Sequence, residues 1–318
     1  MANPDNAPAQ QAPLLKVEGL SYKYNQQLAL DQLSLSLNTG EVLGLVGLNG
    51  AGKSTTLRLL CGLLAPSAGQ VRIAGFSLID QPAQARRQLG YLPDPPALHD
   101  CLSTREAIDI NARLHGLSKT ERKHAVARVL EQCQLEEVAD KRIKVLSKGY
   151  RQRAGLAQAL VHEPKVLVLD EPASGLDPAQ TQHLNQLITH LSKDRAILFS
   201  SHAIADVQSC CTRVALLRDG RLIQDRRIDF DSPTDVTLYK LQLRERVDAK
   251  SLLALPCVSN VKALENNAWV IELKIDHADA VVSAVLANDW GLRAFGPHQD
   301  TMSTVLQQLQ TRPDLEVA

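Results

Sequence analysis

The chain has 318 residues, and its 35 Lys and Arg are balanced by 35 Asp and Glu, with no long basic run. The length exceeds what one compact core usually holds and points to two domains. A formal net charge of zero argues against nucleic acid as the main partner. No apolar run is long enough to cross a bilayer, and the six cysteines lack paired ligand spacing, so they read as reduced, buried or incidental thiols.

Residues 1–13 are Ala, Gln, Asn and Pro without a basic cluster or an apolar core; they read as a flexible tail and not as a secretory leader. Residues 15–37 are strand-rich. Glu41-Val-Leu-Gly-Leu-Val then reads as a buried strand, and a helix is expected from Ser54. Between them Gly47-Leu48-Asn49-Gly50-Ala51-Gly52-Lys53-Ser54, followed by Thr55, fits the phosphate-loop pattern GxxxxGK[ST]. Its glycines let successive amides point at a triphosphate. Lys53 can reach the β- and γ-phosphates, and the Ser54 hydroxyl can ligate Mg²⁺.

Leu89-Gly-Tyr-Leu-Pro-Asp94 is followed by a helical stretch. Ser103 with Glu106 and Ser118 with Glu121 form two capping boxes, and Gly116 is placed to stop the first helix. The second helix carries Lys119, Glu121, Arg122, Lys123 and Arg128, which read as a solvated face. Leu146-Ser147-Lys148-Gly149-Tyr150 opens a further helix. Lys165-Val-Leu-Val-Leu is an apolar run suited to a central parallel strand, and it ends in Asp170 and Glu171. Asp170 is placed to hold Mg²⁺ directly or through water, and Glu171 to polarise an attacking water. Ser174-Gly175-Leu176-Asp177 leads into a helix capped by Asp177 with Pro178 at its first position. The strand Ala196-Ile-Leu-Phe runs into Ser201-His202.

Together these segments resemble the ATP-binding cassette (ABC) ATPases. GLNGAGKST looks like their Walker A, LVLDE their Walker B, LSKGY their signature, SGLD their D-loop and His202 their switch histidine, in matching order from about Leu14 to about Asp225. The resemblance implies an α/β P-loop NTPase fold, with a RecA-like core, an antiparallel β subdomain and a helical subdomain at about 95–160, the cassette covering 14–228. It implies ATP with Mg²⁺, Glu171, His202 and Lys53 as catalytic groups, and Tyr24 as the adenine-stacking residue with Tyr22 as the alternative. It places Ser147 and Gly149 on the γ-phosphate of an opposite subunit, hence a homodimer. Two departures stand out. Lys148 and Tyr150 replace a glycine and the glutamine of the commoner LSGGQ signature. Asp94 stands where the family carries a glutamine that links Mg²⁺ to the membrane partner.

The resemblance further implies a separate integral membrane permease, an export role, and a place on the cytoplasmic face of the inner membrane. The helix bearing Ile108, Ile110, Ala112 and Leu114 either docks that permease or faces its own core. The competing class is a soluble ABC ATPase acting on ribosomes or DNA, whose tandem cassettes, charged linkers and coiled coils are not seen here.

After a linker at 229–236 the pattern changes. Strands are expected at 239–244, 258–264, 269–275 and 291–296, with helices at 247–255 and 277–288, and a last helix at 301–310. The order βαββαβ is that of a ferredoxin-like unit. Residues 237–318 are thus expected to form a small α+β domain without a chemical constellation; it resembles the C-terminal domains of ABC exporter ATPases, which implies an accessory or dimerisation role.

Overall fold

The computed structural model describes residues 12–201, 204–228, 237–255, 257–264, 267–273 and 278–297. Two compact units divide the chain, Met1–Ile228 and Asp229–Ala318.

The first unit opens with β1 (Leu15–Tyr24) and β2 (Gln27–Leu37), an antiparallel pair. Then come β3 (Val42–Val46), α1 (Lys53–Leu60), β4 (Ala68–Ile73), β5 (Phe76–Ser77), α2 (Pro82–Arg87) and β6 (Leu89–Leu92). Three helices follow, α3 (Thr104–Leu114), α4 (Lys119–Gln132) and α5 (Lys148–Leu160), and then β7 (Val166–Leu169), α6 (Pro178–Leu191), β8 (Ala196–Ser201), α7 (Ile204–Cys210), β9 (Arg213–Arg218) and β10 (Arg221–Arg227).

Two sheets result. The antiparallel one has the order β2-β1-β4-β5; the other runs β10-β9-β3-β8-β7-β6 and is parallel except for the β9–β10 hairpin. Every residue of β3, β7 and β8 is buried, which is why these strands read as unbroken apolar runs. One core joins both sheets through α1: Leu33 and Leu35 of β2 cluster with Leu57, Leu59 and Leu60 of α1 and with Leu43, Val168 and Leu198 of the parallel sheet. This packing fixes the loop between β3 and α1.

The helical stretch forms as its capping boxes dictate. Ser103 and Glu106 exchange side-chain and backbone hydrogen bonds at the start of α3, and Ser118 and Glu121 do the same for α4. Gly116 takes φ 87 after α3. On α3, Ile108 and Ala112 are fully buried while Ile110 and Leu114 are exposed; the apolar face divides between its own core and the surface.

The second unit contains β11 (Thr237–Leu243), α8 (Ala249–Leu253), β12 (Val258–Ala263), β13 (Ala268–Leu273), α9 (Ala278–Ala287) and β14 (Leu292–Pro297). Its sheet has the order β12-β13-β11-β14 with antiparallel pairs throughout. Leu241, Leu243, Ile271 and Leu273 of the sheet bury against Leu252, Val281 and Val285, and Tyr239 stacks on Phe295 at 4.8 Å. The helix expected at 301–310 lies outside the described residues, as do 1–11 of the tail and the linker 229–236.

Candidate nucleotide site

The β3–α1 loop is held tightly on one side. A methyl group built on Gly47 would lie 2.4 Å from the Leu217 carbonyl oxygen, and one on Gly52 would lie 2.8 Å from that of Ala29. Gly52 also has φ 103, so only glycine meets both demands there. It is the N-cap of α1 and gives no side-chain cap, which leaves the first amides of the helix open to an anion.

Lys53 is 8% exposed. Its ammonium donates to the carbonyls of Gly47 at 2.7 Å and Leu48 at 3.2 Å, so the loop and its lysine hold each other in place. Burial pulls the Lys53 pKa down, and the charges of Glu171 and Asp170 oppose that shift.

The two acids stand at the end of β7. Ser200 of the neighbouring β8 fixes both: its hydroxyl donates to Asp170 Oδ1 at 2.6 Å and accepts the Glu171 amide at 3.0 Å. Glu171 takes φ 45, a left-handed conformation uncommon for a residue with a side chain. Its carbonyl accepts the Ser174 amide at 2.9 Å, which starts the turn leading to α6. Asp177 caps α6 by accepting the Gln180 amide at 2.8 Å.

A cavity of about 590 Å³ brings many of the expected residues together: Tyr24, Leu48, Asn49, Gly50, Gly52, Lys53, Ser54, Thr55 and Glu171 all line it. Gly47 and Ala51 serve through their carbonyls, Gly47 accepting from Lys53 and Ala51 from the Gly220 amide at 3.0 Å. Tyr24 is 42% exposed at the rim, whereas Tyr22 packs on the core beneath, the rings meeting edge-on at 4.8 Å.

Other expected residues are not part of this lining. Ser147 and Gly149 stand at the start of α5, where the Ser147 hydroxyl accepts the Tyr150 amide and the Tyr150 phenol donates to Glu137. Asp94 is exposed beyond β6. His202 lies outside the described residues.

Sequence reasoning missed Ser200, and also Asp219 and Gly220, which line the cavity from the β9–β10 turn. Asp-Gly is a hairpin signal, but nothing local says that this hairpin closes over the phosphate loop. A serine at the end of an apolar strand beside that loop was the available sign of Ser200.

The donor set suits a small hard cation. Ser54 offers an exposed hydroxyl on α1, and Asp170 a carboxylate fixed by Ser200. With only these two protein oxygens, a cation here would complete its shell with nucleotide and water oxygens, as Mg²⁺ does.

The ABC transporter family profile matches residues 30–174. The uncharacterized ABC transporter ATP-binding protein YxlF of Bacillus subtilis is 35% identical over 266 residues, which are 83% of this chain and 88% of YxlF. The chain belongs to the ABC transporter ATP-binding proteins. The bacitracin transport ATP-binding protein BcrA of Bacillus licheniformis is 33% identical, covering 76% of this chain and 78% of its own. Among solved structures, an ATP-binding subunit of an ABC transporter superposes with TM-score 0.63 at 34% identity, covering 68% of this chain and 90% of that one. As an ABC protein the chain is an ATP-binding transporter subunit and an ATPase. The alternative of a soluble ribosome-directed ATPase is not favoured.

Proposed function

We propose that this protein hydrolyses MgATP as a homodimer with composite sites and thereby drives a separate membrane permease, in the direction of export. One observation carries the reading. Tyr24, the phosphate loop and Glu171 share one cavity, while Ser147, Gly149 and Asp177 of the same chain do not line it.

In this reading Tyr24 stacks on adenine, the amides of 48–55 and Lys53 hold the phosphates, and Ser54 and Asp170 hold Mg²⁺, which supplies charge neutralisation at the phosphates. Glu171 polarises the attacking water, and His202 assists by its place after β8. Ser147 and Gly149 meet the γ-phosphate held by the partner copy, and loss of that phosphate releases the pair.

The permease docks on the helical stretch. A groove of about 530 Å³ between α3 and α4, lined by Leu102, Arg105, Asp109, Ile110, Arg122 and Val126, has the size and the mixed apolar and charged character that suit a cytoplasmic helix. Asp94, standing where the family carries glutamine, would link docking to the metal site. Among the described residues no helix is long and apolar enough to cross a membrane; a place on the cytoplasmic face belongs to the permease reading. The transport role in BcrA's name supports the transport reading. Residues 14–228 act as the cassette, 229–236 as a linker, and 237–318 as a ferredoxin-like accessory or dimerisation domain. The strand order β12-β13-β11-β14 in a βαββαβ chain supports that last assignment.

Glu171→Gln tests the central claim. It is expected to keep ATP binding, to lower turnover by about 10²-fold or more, and to give a lasting ATP-bound dimer by sedimentation. Turnover equal to the wild type overturns the assignment. Co-purification from detergent extracts is expected to capture a multi-span protein; ribosomes or DNA in its place overturn the transport reading.

A further inference from the structure

We propose that Lys148 is a positioning residue: it ties the start of α5 to the 174–177 turn of its own chain, so that Ser147 and Gly149 move together with the strand end that carries Glu171. The proposal rests on the composite-site reading above and assigns a role to the residue that departs from the commoner signature.

Lys148 is the first residue of α5, behind the N-cap Ser147, and the first turn holds no acid. A cation at that end opposes the helix dipole, so the side chain's position follows from what it touches. Its ammonium donates to Ser174 Oγ at 3.4 Å. Its stem crosses Gly175: a methyl group built there would fall 2.3 Å from Lys148 Nζ and 2.7 Å from Cε. Gly175 has φ 72, which already disfavours any side chain.

A second contact lies one residue on. Gly149 is buried against Gln180, and a methyl group on Gly149 would fall 2.6 Å from Gln180 Oε1. The Gln180 amide is in turn held by Asp177 at 2.8 Å. The turn is thus gripped near its start by Lys148 and past its end through Gln180. It is also bonded to the catalytic strand end, because the Ser174 amide donates to the Glu171 carbonyl at 2.9 Å. A continuous path runs from the Glu171 backbone through Ser174 and Lys148 to the residues offered to the partner's nucleotide.

Contiguity alone does not establish coupling; a double-mutant cycle does. Lys148→Met keeps the stem and removes the ammonium, and Ser174→Ala removes its acceptor. Each is expected to lower kcat about fivefold with the KM for ATP within about twofold, and the double variant is expected to match either single one. Lys148→Arg should restore most of the rate. In the Glu171→Gln background, Lys148→Met should raise the ATP concentration for half-maximal dimerisation by about fivefold, while binding of a fluorescent ATP analogue stays unchanged.

Lys148→Met with wild-type kcat overturns the proposal, and so do single effects that multiply in the double variant. If Glu171→Gln with Lys148 intact forms no ATP-dependent dimer, the composite-site reading falls and the proposal with it. A normal Glu171→Gln dimer that Lys148→Met leaves unmoved defeats the proposal alone.

Discussion

The cassette has two helix N-termini assigned to phosphate, and they are built in opposite ways. α1 starts from Gly52 without a side-chain cap and opens into a cavity lined by the buried Lys53, Glu171 and Asp219. α5 starts from Ser147, whose hydroxyl already serves the Tyr150 amide, and Ser147 and Lys148 beside it are exposed. The first is uncapped and lies in a cavity, with free amides and a buried lysine turned to an anion. The second is capped and open, so a ligand must be brought to it. That asymmetry is what two half-sites require.

The largest effect should come from the enclosed face. Lys53→Ala removes a buried cation and its charge-assisted bonds, and MgATP binding is expected to weaken by about 100-fold, with turnover lost. Titration with a fluorescent nucleotide and phosphate release measure both. Retained turnover would break the assignment of this face. Gly149→Ala is the counterpart on the open face. Its methyl must displace Gln180 Oε1, 2.6 Å away. Binding should stay within about twofold while turnover falls about tenfold; a loss of binding would show that the two faces are not separable.

Much of this was legible because it is local. The phosphate loop, the acid pair after 165–169, both capping boxes and the Asp177-Pro178 helix start are each written within a few residues. What was not legible depends on neighbours distant in sequence. Ser200 matters because β8 lies beside β7, and Asp219 and Gly220 because a later hairpin folds over the loop. Tyr22 and Tyr24 have the same parity, so alternation puts them on one face. The structure lets their rings touch, but it seats Tyr22 on the core and leaves Tyr24 at the cavity rim. Lys148 was noticed only as a departure, since Gly175 is far from it in sequence.

Ser200→Ala sharpens the comparison within the enclosed face. The hydroxyl is fully buried and serves both acids. Its loss leaves the Glu171 amide without that acceptor and Asp170 without that donor, at a stability cost of about 1–3 kcal/mol. Turnover should fall about tenfold and more Mg²⁺ be needed for half-saturation, whereas the dimer of the Glu171→Gln background should still form. Unchanged Mg²⁺ dependence would show that the Ser200 hydroxyl does not position Asp170 for the metal.

The smallest effect concerns the far end of the helix that carries the open face. His162, just past α5, donates from Nε2 to the Leu89 carbonyl of β6 at 3.0 Å. Its ring stacks on His115 at 3.5 Å, and its Nδ1 is buried without a hydrogen-bond partner. Burial, and then the neighbouring His115, push the His162 pKa from 6.5 down to about 4; burial and Arg87 lower that of His115 as well. Between those pH values the unfolded chain binds more protons than the folded one, so the stability held above pH 6.5 is lost as pH falls toward 4. From pH 7 to pH 5 the loss through His162 is on the order of 1–2 kcal/mol. His162→Gln keeps a donor for Leu89 and cannot titrate. Its thermal midpoint should therefore fall less steeply over that range than the wild type's. Parallel slopes would mean that the attachment of α5 to β6 does not sense acid.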